Sequence, residues 1–419
     1  MSRPVLLVVP ALLAAACPTP EVTYQADVRP LMEAQCVRCH AGTGPGVGDF
    51  TTYENVSAFA GRIQARMDEG SMPPAAADPS CRDYVGSEHI TLADGDADLF
   101  RRWVELQTPE GKEKDYVAPP ALKTELDDPT LEVTMGAAYA PTFADEANPG
   151  NEYRCFILDH GQTEPFWITA LHPKLGNPDL VHHIVLYALT MDDVPEGYDP
   201  EKGMDCIDGR GIDVEGDPLS DGMITGWAPG MLPIEYDVGD TVKGLKINPD
   251  QKIVAQMHYY LPGPDHVGKT DQSGFQFRTV TSKDEVDVQL RMANLGTDGR
   301  AIQIPAKSTW TYDWDYTIGA LEAGTIYATF PHMHQLGTAW NLEIEHADGS
   351  TECISRGDRW DFDNQLSYQL IEPVRVNNGD TLRLSCSYDN PTDDVVTGGE
   401  RTDEEMCYVF IQAEINILK

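Results

Sequence analysis

The chain has 419 residues, with 68 Asp and Glu against 30 Lys and Arg, and 41% of it is hydrophobic. That length allows about three domains on a prior of roughly 150 residues each, with enough apolar side chains for packed cores. A net charge of −38 excludes nucleic acid and anionic membrane surfaces as partners, because both would repel it.

The first segment, residues 1–17, is expected to be a targeting signal. Arg3 precedes the apolar Val5–Val9, and Leu13-Ala14-Ala15-Ala16-Cys17 places small residues ahead of a cysteine. The segment resembles a bacterial lipoprotein signal with Cys17 as the lipid-bearing residue, or else an ordinary secretory signal. Either reading predicts an exported protein, in the periplasm or at the cell surface. Contact with a membrane would run only through a lipid anchor at Cys17. Export permits disulfides, and six cysteines outside this segment and the motif described next are consistent with three bridges.

Residues 21–110 are expected to form a small all-α domain. Cys36-Val37-Arg38-Cys39-His40 is the C-x-x-C-H pattern of covalent haem attachment, with Cys36 and Cys39 as thioether anchors and His40 as an iron ligand. Val28, Leu31, Met32 and Gln35 suit a short helix delivering the motif, and a second helix is expected over Asn55–Glu69. The Met72-Pro73-Pro74 loop cannot continue that helix and offers Met72 as the second axial ligand. A third helix is predicted over Asp94–Leu106, capped by Asp94, with Leu99, Trp103 and Leu106 on one face. The region resembles a class I c-type cytochrome, which implies one covalently bound haem, an external electron donor to it, and electron transfer as its role.

Residues 111–130 are charged and Pro-rich and read as a linker. Beyond them, short β runs alternate with Gly, Pro, Asp and Asn turns. They include Tyr153–Leu158, Leu180–Leu189, Ile253–Leu261, Thr325–Thr329 and Met406–Ile417. The fold class is therefore mainly β: two tandem antiparallel β-sandwich domains (jelly-roll-like), 131–283 and 284–419, preceded by the all-α domain.

Three histidine features stand in those β runs. His332 and His334 are two apart, so an extended chain turns both to one face with Met333 away. His258 lies in an apolar run. His182 and His183 are neighbours, and neighbours on a regular strand face opposite ways; both can hold one metal only at a strand end or a bulge. A lone histidine in a strand is more often a hydrogen-bonded core residue.

Taken in order, His182-His183, His258, His332-x-His334 and Met406-Cys407 resemble the copper type II, ascorbate-dependent monooxygenases, from about Leu131 to Lys419. Gly226-Trp227-Ala228-Pro229-Gly230 is similar to the family's turn before the His258 strand, and Ile304-Pro305-Ala306 to the entry of the second domain. The resemblance implies two coppers: an electron-transfer ion on His182, His183 and His258, and a catalytic, oxygen-binding ion on His332, His334 and Met406. It implies hydroxylation of a C–H bond of a small molecule with O2, one electron coming from each copper across an open cleft. It also implies the bridges Cys386–Cys407 and Cys155–Cys206, and leaves Cys81 and Cys353 as a remaining pair that would clamp the α domain to the second sandwich.

The chain departs from the family's peptide-processing members in two ways. Where those carry an arginine before H-x-H and polar residues after the methionine, this sequence has Phe330, Tyr408 and Phe410. A substrate pocket with an aromatic wall and no guanidinium predicts an apolar or aromatic substrate over a carboxylate-bearing peptide. The other departure is the attached haem motif, which predicts an internal electron source. Two other readings stand beside the enzyme: a non-catalytic copper-binding, redox-sensing or electron-transfer lipoprotein on the same fold, and a zinc hydrolase, which the thioether of Met406 disfavours.

Overall fold

The computed structural model describes residues 22–41, 48–119, 123–144, 150–190, 198–205, 222–236, 241–261, 263–297, 301–319, 323–362, 364–399 and 403–415. The expected signal segment, with Cys17, and Cys206 lie outside these.

The described residues between 22 and 116 build a helical unit. A π-helical turn, Tyr24–Val28, runs into α1 (Arg29–Gln35); α2 (Tyr53–Asp68) and α3 (Asp96–Glu105) follow. Thr52 caps α2 by accepting from Asn55 N–H. Val28, Met32, Val56, Phe100 and Trp103 are buried in one core. The expectations for α3 are corrected here. Gly95 occupies its cap position, at φ 92°. Phe100 takes the core face, while Leu106 is left 41% exposed. The start of the expected linker is tied to this unit, since Tyr116 Oη–H donates to Glu33 and the Arg29 guanidinium lies 3.8 Å over the Tyr116 ring.

The rest is β. The first half carries β1 (Leu131–Thr134), β2 (Asn151–Leu158), β3 (Phe166–Lys174), β4 (Val181–Thr190), β5 (Met204–Asp205), β6 (Met223–Trp227), β7 (Ile234–Glu235), β8 (Lys243–Ile247), β9 (Gln251–Tyr260) and β10 (Gly274–Val280). The second carries β11 (Val288–Thr297), β12 (Gln303–Ile304), β13 (Ser308–Thr317), β14 (Gly324–His332), β15 (Gly337–Glu345), β16 (Thr351–Gly357), β17 (Tyr368–Val376), β18 (Thr381–Asn390), β19 (Val396–Thr397) and β20 (Cys407–Ile415). Gly226 and Trp227, read in the sequence as part of a turn, end strand β6; the turn begins after them.

One sheet runs through both halves, in the order β1-β10-β3-β8-β11-β20-β14-β17 with β7 against β3. The join is the parallel pair β8–β11, Val288 opposite Lys243. A five-stranded sheet, β5-β2-β9-β4-β6, belongs to the first half, and a four-stranded sheet, β13-β18-β15-β16, to the second. A contiguous buried core, including Ile168, Leu186, Phe277, Leu342 and Val409, packs these layers.

The segment after α2 straps the helical unit to the second half. Val85 N–H donates to Gln369 O and Ile371 N–H to Asp83 O, so this segment pairs along β17. Tyr84 is 2% exposed and its ring meets Tyr368 edge-on. Cys81 is bonded to Cys353, and Arg82 next to it pairs with Glu352.

Candidate copper centres

His182, His183 and His258 converge. The β4–β9 register slips by one between Val181, opposite Tyr259, and His183, opposite His258. The extra residue is His182, and this bulge lets two sequence neighbours reach one point. His183 Nδ1 lies 3.2 Å from His182 Nδ1 and 3.2 Å from His258 Nδ1. Nitrogens about 2.0 Å from a tetrahedral ion stand roughly 3.3 Å apart, so the spacing suits an ion among them. His258 Nε2 is 2.8 Å from Asn151 Oδ1, an acceptor, which places its proton on Nε2 and leaves Nδ1 bare. The Tyr153 ring stacks on His258 at 4.2 Å and 3°. Burial, then the neighbouring histidines, hold His183 and His258 well below the usual imidazole pKa. Both are therefore neutral, the form a metal needs.

His332 ends β14 and His334 follows it. The His332 Nδ1–H donates to Gln365 Oε1 at 2.6 Å, and the Gln365 amide is oriented by Nε2–H donating to Phe362 O. The His334 Nδ1–H donates to Glu404 O at 2.9 Å. Each ring thus keeps its proton on Nδ1 and offers Nε2, the opposite tautomer to His258. Burial lowers the pKa of His332, and its Gln365 bond offsets part of that. Met333 is fully buried in the core.

Met406 stands near this pair in the chain path. His332 lies opposite Tyr408, the last pair of the β14–β20 ladder, and Glu405 accepts from both His334 N–H and Met406 N–H just beyond it. Met406 is 5% exposed, and its carbonyl accepts from Tyr388 Oη–H at 2.7 Å. Cys407, next to it, is bonded to Cys386. A thioether beside two imidazoles favours Cu(I) and is foreign to zinc sites.

The two histidine groups lie within electrostatic reach of each other, His332 and His334 lowering the His183 pKa further. Phe330 is 8% exposed and clusters with Met223 and Met292, with Val185, Tyr187 and Phe410 packed against them. Gly226 meets the Phe330 ring so closely that an added Cβ would lie 2.7 Å from it. Apolar side chains from both halves therefore meet beside the histidines. Phe330 is opposite Phe410, whose ring centroid is 6.3 Å from that of His332 and 5.8 Å from that of Tyr408.

Cys36 and Cys39 are free thiols one turn apart after α1, and His40 N–H donates to Cys36 O. Burial pushes the Cys36 thiol up to about 12. His40 stacks on Phe50 at 4.6 Å, and Phe59 and Met72 are left 37% and 39% exposed. Two unpaired thiols, a histidine and exposed apolar side chains fit covalent haem attachment. This motif abuts the β region: the Sγ of Cys39 is 3.1 Å from where a Gly230 Cβ would stand. Cys155 is disulfide-bonded, and its expected partner Cys206 lies outside the described residues.

Asn151, Tyr153, Gln365 and Glu405 are site residues that sequence reasoning missed. Only Glu405 left a local signal, an acidic residue beside a candidate ligand at the start of an apolar strand.

Residues 301–413 match the family model for the copper type II ascorbate-dependent monooxygenase C-terminal domain. Among curated relatives, the chain is similar to tyramine beta-hydroxylase of Caenorhabditis briggsae, with 27% identity over 278 residues, 61% of this chain and 44% of that protein. It is 28% identical over 253 residues to DBH-like monooxygenase protein 2 of Mus musculus, 56% of this chain and 38% of that one. A putative DBH-like monooxygenase protein 2 of Homo sapiens is 27% identical over 269 residues, 59% and 50%. The chain thus spans half or less of the length of these relatives. A solved allantoicase covers 65% of this chain and 80% of its own at 12% identity, with a TM-score of 0.18, too slight a likeness to carry an argument.

Proposed function

We propose that this protein is an exported, copper-dependent monooxygenase that hydroxylates a C–H bond of a small apolar or aromatic molecule with O2. Two tandem sandwiches, 131–283 and 284–419, would each hold one copper, and a cytochrome c-like domain over 21–110 would hold one haem. The observation that supports this most is two imidazole groups of opposite tautomer, one leaving Nδ1 atoms bare and one offering Nε2 atoms.

When bound, copper supplies one-electron transfer and dioxygen activation, and a covalent haem supplies an internal source of single electrons. The residues supply the rest. Asn151, Gln365 and Glu404 O hold imidazole protons away from the metal-facing nitrogens. Phe330 and Phe410 exclude water and offer ring surface to an apolar substrate, with Tyr408 beside them. The aromatic substrate in the name of tyramine beta-hydroxylase supports the same class.

A panel of arylalkyl compounds and glycine-extended peptides, assayed for product formation coupled to O2 uptake, tests the reading. Aromatic substrates are expected to turn over and the peptides not. Efficient hydroxylation of a peptidyl-glycine, lost when its carboxylate is removed, would overturn the substrate assignment.

A further inference from the structure

Glu405 is fully buried, and among the described residues no Lys or Arg pairs with it. A carboxylate in that position is unusual, since Asp and Glu are almost never fully buried unpaired. Its partners are backbone N–H groups from two stretches of chain. Oε2 accepts from His334 N–H at 2.9 Å and from Met406 N–H at 3.3 Å, and Oε1 accepts from Leu336 N–H at 2.6 Å. One side chain thus pins the turn after His332-Met333-His334 to the residue that presents Met406. The preceding carbonyl, Glu404 O, sets the His334 ring.

From this geometry we infer that Glu405 is a positioning residue: its carboxylate holds the Met406 thioether in register with His334, so that the methionine arm reaches the metal. The inference rests on reading His332, His334 and Met406 as one copper centre. It goes further by assigning the arm's placement to a buried carboxylate on neither metal nor substrate. Three backbone donors shared between Oε1 and Oε2 need an acceptor on both oxygens. Glutamine supplies one oxygen and turns an NH2 donor against the remaining N–H groups. Aspartate keeps both oxygens but withdraws them by one methylene.

The test uses the full-length, copper-loaded and reduced protein. X-ray absorption reads sulfur scattering at copper, and competition with a Cu(I) chelator reads affinity at each centre. Wild type is expected to bind two coppers and show one sulfur scatterer. Glu405→Gln should lose that scatterer and weaken Cu(I) at the methionine centre by about 10- to 100-fold, with the His182–His183–His258 centre unchanged. Glu405→Asp should recover part of both, and it carries the test alone if the glutamine variant does not fold. Wild-type sulfur scattering and affinity in the variant, or equal weakening of both centres, would overturn the inference. Absence of a sulfur scatterer in wild type itself would instead overturn the underlying copper reading, and the inference with it.

Discussion

Replacing Asn151 by alanine tests the first centre through a residue that touches no metal. The side-chain oxygen of Asn151 is the acceptor 2.8 Å from His258 Nε2, and it decides which nitrogen carries the proton. Without it the ring loses both its orientation and its preference for the Nε2–H tautomer. Nδ1 would then be protonated in part of the population and closed to a metal. Losing the group that orients a ligating histidine typically costs 10- to 100-fold in metal affinity, about 1.4 to 2.7 kcal/mol. Stacking of Tyr153 on His258 at 4.2 Å retains some of the ring's position, so the loss should fall toward the lower end. Asn151→Asp, a stronger acceptor, should keep or tighten binding. Copper affinity measured by chelator competition, with the Cu(II) paramagnetic resonance spectrum as a second readout, decides it. If Asn151→Ala binds copper like wild type with an unchanged spectrum, the tautomer argument fails.

Three further outcomes follow. Removing the Cys386–Cys407 bridge by a double change to alanine should cost roughly 3 kcal/mol by loop entropy over its 21-residue separation, read by denaturant unfolding; copper should then be lost first from the centre containing Met406. His40→Ala should slow steady-state turnover with an external donor while copper content stays at two per chain, and unchanged turnover would remove the haem from the electron supply. His346 is opposed by burial, but Asp380 and Glu352 outweigh this and raise its pKa. A raised histidine pKa stabilises at pH below its unfolded value of about 6.5, and the gain is lost as pH climbs through the folded value. Melting temperature should fall by no more than about 2 °C across that window in this partly open cluster, and His346→Gln should flatten the slope.

Much of the candidate site was legible because its residues sit at periodic positions. His332 and His334 declare one face by their spacing, and His182-His183 in an apolar run signals a bulge, which β4 has. The groups that orient those ligands were not legible. Asn151 meets His258 across 107 residues and Gln365 meets His332 across 33, so no local pattern joins them. The strands β3, β6 and β8 went unread for another reason. β3 and β6 are buried along most of their length, so alternation is absent, and Pro173, Gly226 and Gly244 imitate turn residues. The parallel β8–β11 pair that makes one sheet of both halves is likewise a tertiary fact. In α3, the choice of Phe100 over Leu106 for the core follows from where Tyr24 and Trp103 pack.

The most direct test of the whole account is isotopic. The copper-loaded protein, supplied with a reductant, an aromatic substrate and 18O2, should yield a hydroxylated product carrying one labelled oxygen, and Met406→Leu should abolish it while the His182–His183–His258 centre keeps its copper. Two bound coppers with no label in any product would contradict the enzyme reading and leave a copper-binding or redox-sensing protein in its place.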